Sequence, residues 1–199
     1  KWHYRSRHES LINFSNHHFY QNQLIIPPSP STASAVTSNK VDAYYKGKIN
    51  VQEKDKLIRD LIPFMKANIR KGENDKNSKS CLIVTMNIFQ AESIEDDINK
   101  KKLDYPVIEE YENSWKDTGE EFTIKNLESV QGDERDVIFI STLFGPESPG
   151  MKTKQTFGPI NNNGGQRRLN VLFTRARQNL NLYTSLSSND IISEGAPEG

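Results

Sequence analysis

Five consecutive residues, Cys81-Leu82-Ile83-Val84-Thr85, set the tightest constraint on what this chain can become. An apolar run of strand length has no polar face to offer water, so both of its faces must be covered. That is the position of a strand inside a parallel sheet with helices on either side. The surroundings agree: residues 72–79 are polar and charged, as a surface loop is, and helical spacing follows over residues 87–101.

The same alternation recurs along the chain. Residues 9–20 place Leu11, Ile12, Phe14, Phe19 and Tyr20 at mostly helical spacing, which predicts a short helix. Pro27, Pro28 and Pro30 fix φ and remove backbone donors, so residues 27–40 read as a Pro/Ser-rich loop or extended connector. Residues 41–49 read as a short strand. Asn50 then offers an N-cap with Glu53 three residues on, and Leu57, Ile58, Leu61, Ile62, Met65 and Ile69 continue a helix that Pro63 should kink. Further strands are expected over 122–127, 137–143 and 180–185, and a last helix over 167–177. Between them, residues 145–165 hold Pro146, Pro149, Pro159, three asparagines and a Gly pair, which predicts a long loop. Strands alternating with helices make an α/β fold, a parallel sheet with helices on both faces. The expected organisation is one domain over residues 1–192 and a flexible tail over 193–199.

Composition mainly excludes. No run approaches the roughly 18 apolar residues of a membrane span, and no signal-peptide pattern opens the chain. The opening Lys1-Trp2-His3-Tyr4 lacks an initiator Met, which fits a piece of a longer protein. A single cysteine, Cys81, rules out an internal disulfide and points to a reducing, cytoplasmic setting; inside its apolar run it reads as core filler. Formal net charge is zero, so any nucleic-acid surface must come from local placement of Lys and Arg. His3, His8, His17 and His18 show no recurrent ligand spacing and read as solvated, with no metal site expected. Lys100-Lys101-Lys102 suits a helix C-terminus, and Trp115, amid acidic residues, reads as local core.

A self-sufficient nucleotide hydrolase needs a Gly-rich loop ending in Gly-Lys-Ser/Thr. The only Gly-Lys here, Gly47-Lys48, is followed by Ile49 and lacks the upstream glycine. No apolar strand ends in an Asp-Glu pair suited to Mg²⁺. This chain by itself is therefore predicted not to hydrolyse ATP.

Four segments add more: His3-Tyr4-Arg5-Ser6-Arg7, Thr85-Met86-Asn87 through Gln90, Val130-Gln131-Gly132-Asp133-Glu134-Arg135-Asp136-Val137-Ile138, and Arg167-Arg168-Leu169-Asn170-Val171-Leu172-Phe173-Thr174-Arg175-Ala176-Arg177. In order and spacing they resemble motifs of the second RecA-like domain of superfamily 1 helicases. The nearest branch includes the nonsense-mediated-decay helicases and the bacterial helicase–endonuclease fusions.

That resemblance implies a RecA-like sheet and a set of roles. Arg5 and Arg175 would reach the γ-phosphate of ATP, a task suited to a planar, always-charged fork. Tyr4 would stack on adenine. Gln131, Gly132 and Glu134 would line the nucleotide side, while Glu128 and Ser129 would lie toward a single strand of nucleic acid, DNA rather than RNA. The phosphate loop and Mg²⁺ ligands would reside on an N-terminal RecA-like domain of the same protein. The alternatives are that Arg5 and Arg175 are surface ion-pair partners, and that the chain is a non-catalytic binding or assembly module of helicase-like fold. Within the last predicted helix, Arg168, Val171 and Arg175 share one face, while Asn170 and Arg177 share another.

Overall fold

The computed structural model describes Trp2, residues 6–30 and residues 33–190. Five strands form one sheet: β1 (Val36–Lys40), β2 (Cys81–Thr85), β3 (Thr123–Asn126), β4 (Arg135–Ser141) and β5 (Ala176–Thr184). Their order is β1-β5-β4-β2-β3, and every pairing is parallel. The helices are α1 (Ser10–Phe19), α2 (Val51–Ala67), α3 (Ile88–Lys101), α4 (Val107–Ser114) and α5 (Gly165–Phe173). This is the α/β RecA-like architecture.

Side chains of a strand alternate between faces, so each central strand feeds two cores. Leu82 and Val84 of β2, with Ile138 and Ile140 of β4 and Leu180 of β5, meet Leu11 of α1 and Leu172 of α5. Cys81 and Ile83, with Val137 and Phe139, meet Leu57, Leu61 and Met65 of α2, Ile94 and Ile98 of α3, and Tyr111 of α4. All five residues of β2 are buried, which is why the run carries no polar alternation. Cys81 is fully buried, and that burial pushes its thiol up to about 12, as suits core filler. Trp115 is also core, its Nε1 donating to the Asn68 carbonyl at 3.1 Å.

Three expectations need correction. The strand placed over 41–49 lies instead at Val36–Lys40, inside the stretch read as a connector, and runs beside β5 from Val36↔Leu180 to Lys40↔Thr184. It is an edge strand of exposed, mostly polar side chains held by backbone pairing, so hydrophobic periodicity could not mark it. The last helix stops at Phe173 rather than 177, because Arg175 pairs its carbonyl with Arg135 N at 3.3 Å and Ala176 opens β5. Sheet pairing here outranks a good helical pattern. Third, α4 occupies acidic sequence in which no helix was expected, anchored by buried Ile108 and Tyr111. Helix α2 continues across Pro63 as one element.

Candidate functional site

Parallel strands give the sheet two chemically different edges, and the residues singled out by sequence divide between them. At the C-terminal edge, β2 and β3 end side by side with Thr85 opposite Asn126. Beyond β3 the Asn126 carboxamide oxygen accepts from the backbone N–H groups of Glu128 and Ser129, both at 3.0 Å, while the Ser129 hydroxyl donates to the same oxygen at 3.0 Å. This is an Asx turn with Glu128 and Ser129 on its exposed surface.

From that turn residues 127–134 run back along the sheet to the start of β4. Leu127 and Val130 are buried in the face shared with α5, while Gln131 and Gly132 are exposed. Gly132 has φ +97°, a conformation that side-chain-bearing residues rarely adopt, which explains glycine at this turn. The far end is clamped. Asp133 pairs with Lys125 of β3 at 2.5 Å. The buried Arg135 donates through Nε and Nη2 to the Glu121 carbonyl and through Nη1 to the Glu134 carbonyl at 2.8 Å. Glu134 therefore sits half-buried at the N-terminal edge of the sheet.

Helix α5 runs antiparallel to the strands beside this segment. Its Arg167, Arg168 and Val171 line a cavity of about 350 Å³ together with Leu127, Glu128 and Gln131. At its C-terminal end, Arg175 folds back over the helix. Nε donates to the Val171 carbonyl at 2.9 Å and Nη2 to the Thr174 hydroxyl at 3.3 Å, so the guanidinium plane is oriented by the last turn. The structure thus brings Glu128, Gln131 and the α5 arginines together and carries Glu134 and Arg175 to the N-terminal edge. Tyr4 and Arg5 lie outside the described residues. Nearby in sequence, Arg7 N donates to the Arg177 carbonyl at 2.7 Å.

Arg177 does not share a helix with Arg175. It is the second residue of β5 and pairs with Glu120 through two nitrogens, at 2.6 and 2.5 Å, and with Asp136 through Nε at 3.1 Å. Burial works to raise the Glu120 carboxyl, but hydrogen bonds from Arg177 and Ser80 outweigh it and hold the group below its ordinary value. These partners make Arg177 part of the sheet's foundation.

Sequence reasoning missed the buried polar cluster at the C-terminal edge. Asn50 caps α2 by accepting from Glu53 N at 3.1 Å, as expected, but the Glu53 carboxyl does not return to Asn50 N. That N–H donates to Gln90 Oε1 at 3.0 Å, and Gln90 Nε2 donates back to the Asn50 carbonyl at 3.1 Å. Glu53 instead accepts from the Ser141 hydroxyl and from Leu143 N, both at 2.7 Å. Burial pushes its carboxyl up to about 7, those hydrogen bonds working against the rise. The cluster packs so closely that a Cβ at Gly145 would collide with the Ser185 hydroxyl. The Asn50-to-Glu53 spacing was the available signal, and its capping-box reading concealed the carboxyl's inward turn.

Among the described residues no three His, Cys, Asp or Glu side chains are grouped to hold a metal ion, and no helix is long and apolar enough to cross a membrane.

The comparisons with known proteins bear on the family of the chain. A family model described as an AAA domain matches residues 31–186. The chain is 32% identical over 194 residues to the Uncharacterized ATP-dependent helicase MG140 of Mycoplasma genitalium, covering 96% of this chain and 16% of that protein. It is also 32% identical over 203 residues to the MG140 homolog of Mycoplasma pneumoniae, covering 96% of this chain and 17% of that protein. The chain thus spans about a sixth of the length of these relatives. The family match takes in well over half of its residues, and the chain is a helicase-like domain belonging to the AAA domain family.

Proposed function

We propose that this chain is the second motor domain of an ATP-dependent superfamily 1 helicase or translocase. In this reading it closes on ATP held by a neighbouring RecA-like domain and moves along single-stranded nucleic acid. One observation carries the reading. Residues 127–134 begin at the edge bearing Glu128 and Ser129, pass beneath α5, and end at the edge bearing Glu134 and Arg175. A single clamped segment thus links the candidate nucleic-acid side to the candidate nucleotide side, a route by which a shift at one end would reach the other.

ATP with Mg²⁺ is the implied cofactor, and in this reading the chain supplies one wall of its site. Bound ATP supplies the γ-phosphoryl group whose transfer to water drives the cycle. The protein's part is positional and electrostatic. Arg175 would present an oriented fork to the γ-phosphate oxygens, where negative charge shifts in the transition state. By resemblance Gln131, Gly132 and Glu134 would border the nucleotide; of these Glu134 shares the N-terminal edge with Arg175, while Gln131 lines the cavity beside Glu128. Tyr4 and Arg5 are assigned to adenine and γ-phosphate by resemblance. Mg²⁺ ligands would come from the neighbouring domain, since neither sequence nor geometry offers a set among the described residues.

The test is Arg175→Ala in a protein that also carries the phosphate-loop domain. Nucleic-acid-stimulated kcat should fall by roughly 10²-fold or more, with a smaller effect on nucleotide affinity. Arg175→Lys keeps a cation at the end of α5 but not the fork, and should restore little. Arg59, exposed on α2, serves as the control. Hydrolysis near wild type in Arg175→Ala would remove the arginine-finger assignment.

A further inference from the structure

Beside the Asx turn at the end of β3, the C-terminal edge carries a second exposed feature, to which no role has been assigned above. Residues 46–49 form a tight turn: Lys46 and Ile49 exchange both backbone hydrogen bonds, at 2.9 and 3.1 Å, around Gly47 at φ +58° and Lys48 at φ +71°. Such a two-residue turn with both φ values positive is rigid and projects its side chains outward. Lys48 Nζ stands 4.1 Å from the centre of the Phe89 ring, in the first turn of α3, and Phe89 as a residue is 45% exposed. Ile88 and Val51 are exposed beside these elements at the starts of α3 and α2.

The pair is braced from beneath. Asn87 Nδ2 donates to the Lys48 carbonyl at 3.0 Å, fixing the turn to the start of α3. Gln90, next after Phe89, is tied to both backbone groups of Asn50. The backbone on either side of the ring is thus fixed to the buried cluster beneath it. Lys46 is exposed on the same turn and adds a second cation to that corner of the surface; Glu92, one helical turn on, is the carboxylate on its side of α3.

We infer that Phe89 with Lys48 and Lys46 forms a base-stacking platform for single-stranded nucleic acid, extending the contact proposed for Glu128 and Ser129 across to β2. The inference rests on the single-strand reading above. The register of Thr85 with Asn126 sets the Asn87–Phe89 corner beside the Asn126–Ser129 turn, so one strand can follow the edge across both. A base is the occupant that matches the chemistry. Every base offers a π-face for Phe89, and its flanking phosphates suit the lysines, which a purely apolar partner would leave unmatched.

The test is fluorescence anisotropy of the chain with a fluorescein-labelled 15-nucleotide oligothymidylate, and separately oligouridylate, at several salt concentrations. Phe89→Ala should weaken binding at least about fivefold and leave the slope of log K against log salt unchanged. Lys48→Ala should lessen that slope by about 0.7. Phe89→Trp should retain binding, and its emission, above that of Trp2 and Trp115, should be quenched as an unlabelled oligonucleotide is added. The quench is a signature of stacking that a purely structural ring would not give. If wild type binds and Phe89→Ala binds equally, or the added emission of Phe89→Trp does not move, the platform is wrong while the single-strand reading stands. If wild type shows no salt-dependent binding at all, both fall. Self-association in sedimentation that Ile88→Ser abolishes would mean that the patch covers a protein surface instead, and would also overturn the platform.

Discussion

At Glu53 a carboxyl group is kept in a place where its charge is unwelcome. Burial raises it from its ordinary 4.5 to about 7, so the folded protein holds a proton that the unfolded chain has released over that interval. The sign follows directly. The stability this group contributes is fully present below about 4.5, is lost as pH rises toward 7, and changes little above it. The loss is limited to roughly 3 kcal/mol. Glu53→Gln keeps an acceptor for Ser141 and Leu143 and cannot ionise. Urea unfolding at pH 5 and pH 8 should therefore show a smaller fall for Glu53→Gln than for wild type. An equal fall in both proteins would show that the charge is accommodated without cost. Sequence marked Glu53 only as a capping residue, because three-residue spacing reveals a helix start and not which way the carboxyl turns.

At the scale of the element, β5 decides how the arginines are read. Its start at Ala176 separates Arg175, in the turn that follows α5, from Arg177, which belongs to the sheet. The sequence placed both on one helix, on different faces. The structure makes it a strut whose partners Glu120 and Asp136 reach it from a loop and from β4. Arg177→Ala leaves Asp136, which is largely buried, without its cation, and should cost about 1–3 kcal/mol, discounted for the partial exposure of the group. Lys154→Ala, which removes an exposed pair with Glu147, should cost under about 0.5 kcal/mol. Denaturant midpoints measured for the two variants check this, and equal small losses would mean that the cluster is not structural. The pairing of β1 with β5 teaches the same lesson: an edge strand of Thr, Ser, Asn and Lys exists because β5 offers it backbone partners.

For the whole molecule, the proposed motor role follows from one sheet presenting two edges, with residues 127–134 and α5 joining them. The domain has Arg175 but no phosphate loop of its own, so the purified chain should turn over no ATP above background in Mg²⁺. Robust Mg²⁺-dependent turnover would show that a second phosphate-binding device exists within it. The sequence by itself determined the α/β class, because an apolar run that needs cover on both faces stands among strands that alternate with helices. It also determined where α2 and α3 begin, since Asn50 and Asn87 cap locally, and it marked the motif residues, since residue type and spacing are local properties. Tertiary structure alone decided the rest. The path of β1, the early end of α5 and the inward turn of Glu53 each depend on partners distant in the chain, Leu180, Arg135 and Ser141 among them. Backbone pairing and burial between such distant residues can override local preference, and nothing in the local sequence records them.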